Sequence, residues 1–265
     1  MKSRVIKIVL LYCLFLTAAF INADSYAHDS DPMTGVSDEM MVLRKETAHF
    51  SYYCRKADEK CLKDLAASLE QNYARITSDL KYEPGHRVKV YVYKDLKTFR
   101  KAIGVPFAPD WVVGAAVDNT VKMVSPINPR EMHRYAHFMK TVNHEFVHAL
   151  LNEITTQTGN IIPLWLHEGV AVYESKQAYM LKGIRQLVKD SRIPALDSIT
   201  DYTSYDEMDE NNAYTFSYTL VAYIIDKYGV EALEDFIRTP DFQKVFGIDK
   251  AEFEKSWHKF LKEHY

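Results

Sequence analysis

The 265 residues contain no glycine-rich phosphate loop, no dinucleotide fingerprint and no internal repeat, so nothing in them points to nucleotide chemistry or to a solenoid. A basic excess is also missing: 33 Lys and Arg against 36 Asp and Glu leave a formal charge of −3. A mildly acidic chain has no electrostatic basis for binding nucleic acid. The main apolar run, Ile8 to Ile21, falls short of the roughly 20 residues a membrane helix needs. It follows Lys2, Arg4 and Lys7 and precedes small residues at Ala23 and Ala27, the pattern of a secretory signal peptide. The expectation is therefore a signal peptide at residues 1–27, cleaved after 23 or 27, and a periplasmic or secreted product with no stable membrane span; an uncleaved N-terminal anchor is the alternative. Cleavage after Ala23 removes three basic residues and no acid, taking the charge from −3 to −6. Cysteine is scarce, with three in all. Cys13 lies inside the apolar run, which leaves Cys54 and Cys61; an even pair in an oxidising compartment suggests a disulfide contributing about 2–3 kcal/mol, the rival reading being two free or metal-binding thiols.

What is present is an ordinary globular composition, 47% hydrophobic and 26% charged, with 18 tyrosines. Residues 28–40 are polar and aperiodic and suggest a flexible leader. Alternation predicts a strand over residues 41–53 and another over 87–93, with an amphipathic helix over 60–80 between them. A short helix over 95–103 has Asp95 as its N-cap. Residues 111–125 have the pattern of a hairpin turning at Asp118 and Asn119. Later segments are helical: 177–189 amphipathic, 191–208 looped with an acidic run at 206–210, 213–229 tyrosine-rich and capped by Asn211 or Asn212, then 231–238, 241–246 and 250–264. The fold class is α+β, a small N-terminal mixed or antiparallel sheet with a helix followed by a mainly helical half.

The chemistry concentrates in residues 140–151, KTVNHEFVHALL, which carry His144-Glu145-Phe-Val-His148 on an apolar helical pattern. Residues four apart in a helix lie about 40° apart around the axis and one turn along it, so two imidazoles can converge on one ion. Glu145, turned by roughly 100° from His144, is placed to take a proton from a water held there. A polar stretch, residues 152–160, separates this helix from residues 161–175, IIPLWLHEGVAVYES, an apolar run with Pro163 near its start and one embedded carboxylate, Glu168. A carboxylate in apolar surroundings needs a partner. A zinc ion already holding two imidazoles is such a partner, and His₂Glu with one open position is a recognised catalytic set. Gly169 costs about 1 kcal/mol relative to Ala inside a helix, which suggests that two helices approach closely there.

Together HEFVH at 144–148 and WLHEGVAVY at 165–173 resemble the gluzincin metallopeptidases, and most closely the small bacterial peptidase MA-like domains. The resemblance covers residues 46–229 in outline. It implies a single zincin-like domain over residues 41–265, with a sheet-containing lobe at 41–130 and a helical lobe at 131–265. It also implies one zinc ion bound by His144, His148 and Glu168, with Glu145 as general base. The tyrosine-rich segment 213–229 is similar to a downstream helix of such domains. Some gluzincins place an acidic residue four after the glutamate ligand to orient a zinc histidine; here that position is Val172, and Glu174 is the nearby carboxylate.

Further candidates follow from position. Tyr214 or Tyr218 can donate to an oxyanion. His133 and His137 precede the paired histidines, His137 about 10 Å from His144 along the axis, a distance that suits a cleft or surface histidine better than a second metal site. His167 points about 100° away from Glu168, where it can line the cleft or bind a substrate carboxylate. The hairpin at 111–125 offers an edge strand along which an extended peptide can pair. The function expected is an exported zinc metallopeptidase acting on a peptide or protein. Its alternatives are a non-catalytic periplasmic peptide-binding or assembly factor, and a zinc hydrolase of a non-peptide, cell-wall amide.

Overall fold

A computed structural model of the chain describes residues 40–127, 134–177, 181, 183–201 and 212–265. The segment expected to be a signal peptide, all but the last residue of the expected leader, His133, the acidic run at 206–210 and Asn211 lie outside the described residues. Among those described, no helix is long and apolar enough to cross a membrane.

The first half is built on β1 (Val42–Glu46), β2 (Phe50–Cys54), α1 (Leu62–Asp79), β3 (Val88–Tyr93), α2 (Leu96–Ala102), β4 (Gly114–Val117) and β5 (Thr120–Val124). The strands form one mixed sheet in the order β1-β2-β3-β5-β4, antiparallel at both margins and parallel at the β2–β3 and β3–β5 pairs. The single strand expected over 41–53 is two strands. Thr47 turns the chain, its N–H and hydroxyl both donating to the Phe50 carbonyl at 2.9 and 3.3 Å, with no Gly or Pro to announce it. Asp118 and Asn119 take φ of 51° and 56°, as a two-residue hairpin turn requires. Asp95 caps α2, its carboxylate accepting from the Thr98 N–H at 2.8 Å.

Alternation along β2 and β3 buries Phe50, Tyr52, Val88, Val90 and Val92 on one face of the sheet. That face is covered by α1, through Leu65, Leu69 and Ile76, all fully buried and each contributing about 1.5–3 kcal/mol relative to exposure. It is also covered by α3 (Tyr135–Thr158), whose Phe146 ring lies 5.0 Å from Phe50 and 5.7 Å from Tyr73. The expected polar loop at 152–160 is instead the last two turns of α3. Ile154 is buried, Glu153 accepts from the Tyr82 hydroxyl at 2.7 Å, and Gly159 ends the helix at φ 70°.

Beyond α3 run α4 (Leu164–Glu174), α5 (Ile184–Lys189), α6 (Asp197–Thr200), α7 (Ala213–Tyr228), α8 (Val230–Arg238), α9 (Phe242–Phe246) and α10 (Lys250–His264). Of the amphipathic helix expected over 177–189, α5 covers Ile184–Lys189 with Gly183 before it at φ 94°, and residues 178–180 and 182 lie outside the described residues. Asn212 precedes α7 in a left-handed conformation without a capping hydrogen bond from its side chain. Trp165 of α4 packs on Phe236 of α8 at 6.1 Å, and Trp257 of α10 donates to Thr219 of α7 at 3.2 Å.

The expected Cys54–Cys61 disulfide is not formed. Both cysteines are buried free thiols. Cys61 opens α1 from a 3₁₀ turn and directs its S–H to the Asp58 carbonyl at 2.9 Å. Burial, the largest influence on each, pushes Cys54 up to about 11 and Cys61 up to about 12.

Candidate metal centre

His144 and His148 stand one turn apart in the middle of α3, and α4 brings Glu168 to them. Gly169 explains how. A Cβ there would lie 2.5 Å from the Ser217 carbonyl oxygen and 2.9 Å from Val221 Cγ2, so α4 can press against α7 only with glycine at this position. The close helix approach expected from the sequence is therefore present, and Glu168, rotated about 100° from Gly169, is turned towards α3.

The Nε2 atoms of His144 and His148 are 2.9 Å apart, and the Glu168 carboxylate offers one oxygen to each at 3.4 Å. The three donors lie within 4.8 Å of one another, and no other such cluster occurs among the described residues, His137 included. Donors around a tetrahedral ion with bonds of about 2.0–2.1 Å sit roughly 3.3–3.4 Å apart. Each imidazole lies at that spacing from a different oxygen of Glu168, and the two imidazoles, at 2.9 Å, are a few tenths of an ångström closer than it. The donor set, two imidazoles and one carboxylate almost removed from water, suits a small divalent cation.

Burial opposes charge throughout. On Glu168 it is outweighed by the imidazoles of His148 and His144, which hold the carboxyl well below the usual carboxylate range. On His148 burial works against protonation, but the Glu168 charge prevails and raises its pKa. On Glu145 burial dominates and raises the pKa, against the opposing influence of His144 and His148. Carboxylates tuned upward in this way suit general-base work near neutrality.

The sheet supplies the wall facing Glu145. A Cβ on Gly114 would come within 2.7 Å of Glu145 Oε1, 2.8 Å of its Cγ and 2.8 Å of Thr141 Cγ2. The Ala116 main chain also favours the ionised form of Glu145. β4 thus lies directly on the carboxylate, and both contacts escaped the sequence analysis. The available signal was a glycine inside a strand pattern, which marks close backbone approach. β4 is also the outer strand of its hairpin; β5, with Val121 and Met123, is interior between β3 and β4. Among the described residues the outer edge within 111–125 therefore belongs to Gly114–Val117.

Other candidates fall differently. Val172 is buried, and Glu174 is bound by Arg75, whose guanidinium donates to the Glu174 carboxylate and, at 2.6 Å, to its main-chain carbonyl. Glu174 therefore orients neither histidine. His144 Nδ1 is buried without a partner among the described residues. His167 lies against His148, their Nδ1 atoms 2.6 Å apart; burial above all lowers its pKa to about 3. Tyr218 packs at 5.5 Å against Tyr173, five residues past Glu168 on α4, and burial raises its pKa. Tyr214 is half-buried, one turn earlier on α7.

No curated protein matches the chain. A family model described as the peptidase MA superfamily matches residues 68–263, from within α1 to the end of α10. The chain accordingly belongs to the peptidase MA superfamily, with a metallopeptidase-like fold and the character of a peptidase-type hydrolase.

Proposed function

We propose that this protein is a zinc-dependent metallopeptidase of the gluzincin type, exported by its N-terminal segment. The observation that carries the reading is the convergence of His144, His148 and Glu168 beside a buried carboxylate, Glu145, that stands outside the ligand set. Zinc bound by these three donors would supply Lewis acidity, polarising a carbonyl and lowering the pKa of water. Glu145 takes a proton from the attacking water and passes it to the leaving amine nitrogen. The packing of Gly114 holds that carboxylate in place.

The outer edge of β4 is the peptide-binding element. Val113 accepts from the Val124 N–H at 2.9 Å, and the hairpin pairs Ala115 with Lys122 and Val117 with Thr120. Residues 113, 115 and 117 therefore turn their main-chain groups inward, and Gly114 and Ala116 turn theirs outward. An extended substrate adds to that outward row by main-chain hydrogen bonds. Tyr214 or Tyr218 from α7 is assigned to the oxyanion.

Digestion of a broad peptide library by the zinc-loaded chain, with and without chelator, tests the proposal. Chelator-sensitive cleavage, absent from Glu145→Gln, is the expected result. Cleavage by metal-replete Glu145→Gln would remove the mechanism. A zinc-loaded chain that binds peptides without cleaving them would favour the non-catalytic binding factor instead.

A further inference from the structure

We propose that His167 is a positioning residue for the metal centre, its unprotonated Nδ1 accepting the Nδ1–H of His148 and so presenting the His148 Nε2 lone pair to the ion. The inference rests on the zinc reading above and adds to it a partner for one ligand.

The geometry fixes the direction of this hydrogen bond. His148 turns Nε2 towards His144 and Glu168, at 2.9 and 3.4 Å, and Nδ1 towards His167 Nδ1, at 2.6 Å. Two Nδ1 atoms at that distance share a single proton. A neutral His148 that offers Nε2 to a cation must carry its proton on Nδ1, so His148 donates and His167 accepts. The two ring planes lie within 20° of each other, their centroids 4.7 Å apart.

A ligating histidine ordinarily gives its second N–H to a carboxylate, a carbonyl or water. No carboxylate does so here, because Val172 is apolar and Glu174 is bound to Arg75. The outer support of His148 is thus a neutral ring. It fixes tautomer and orientation while adding no second negative charge beside Glu168.

The test compares two substitutions of similar size and opposite polarity. In Asn the Oδ1 atom occupies the place of Nδ1 and accepts; Leu fills the same space and does not. Zinc affinity of the full chain is measured by competition with a chromophoric chelator, with circular dichroism of the metal-free forms as the check on folding. His167→Leu is expected to bind zinc about 10–100-fold more weakly than wild type, and His167→Asn close to wild type. The cobalt form of His167→Leu is expected to show a shifted visible spectrum, which loss of packing alone would not produce. Should His167→Leu fail to fold, His167→Phe keeps the ring and removes the acceptor. The proposal is overturned if the non-accepting variant binds zinc as tightly as wild type, or if His167→Asn binds as weakly as His167→Leu. Wild type that binds no zinc at all would instead sink the metallopeptidase reading, and this inference with it.

Discussion

Glu145 is a carboxylate that must be ionised to accept a proton, yet burial raises its pKa. That opposition makes it a stronger base than an exposed glutamate, provided its oxygens stay where the water will be. Glu145→Gln keeps the shape and removes the base, so kcat is expected to fall by a factor of about 10²–10⁴ with zinc content unchanged by metal analysis. Gly114→Ala tests placement and not basicity. The added methyl would meet Glu145 Oε1 and Cγ and Thr141 Cγ2, all within 2.8 Å, and the carboxylate is the part able to move. A displacement of about 1 Å can cost on the order of 10² in rate. Gly114→Ala should therefore lose turnover of that order while its zinc affinity and melting temperature stay near wild type.

At the scale of elements, two contacts between neighbours set the site: β4 against α3 and α4 against α7. In β4 the inward residues hold the hairpin and the outward ones face Glu145 and the proposed substrate. Ala115→Pro removes a ladder N–H and is expected to destabilise the hairpin, whereas Ala116→Pro removes an outward N–H of the row proposed to pair with substrate. Thermal melting should separate the two, with Ala116→Pro folded but weakened in kcat/KM. Gly169→Ala sets two magnitudes against each other. Alanine gains about 1 kcal/mol in helix propensity, but its Cβ would lie 2.5 Å from a backbone carbonyl on α7, and such overpacking typically costs about 1–3 kcal/mol or more. Because the obstacle is main chain, the clash should win, and urea denaturation should show net destabilisation. The same two contacts show what the sequence could and could not disclose. The paired histidines were legible because helical spacing alone brings them together, and Gly169 and Glu168 because each is out of character in an apolar helix. Gly114 and Ala116 reach Glu145 only after a hairpin, a sheet and a 24-residue helix have packed, and local pattern carries no record of that. The last turns of α3 went unread for the same reason, since Glu153 is buried by a tyrosine 71 residues away. The β1–β2 turn carries no Gly or Pro to mark it.

Across the whole molecule, α3 belongs to both halves. Its Phe146 face completes the core under the sheet, while His144 and His148 meet α4, which is itself clamped to α7 and to Arg75 of α1. An ion held by His144, His148 and Glu168 therefore ties the sheet-covering helix to the helical half, and that tie must appear in global stability. A ligand bound only by the folded state at 100 times its Kd stabilises by about 2.7 kcal/mol. For a domain of this size each kcal/mol raises the melting temperature by roughly 2–4 °C, so zinc should raise it by about 5–10 °C and chelator should reverse the rise. The rise should persist in Glu145→Gln, which keeps all three donors, and vanish in His148→Ala. A rise equal in both variants would mean that zinc binds elsewhere on the chain, whatever the catalytic assays gave.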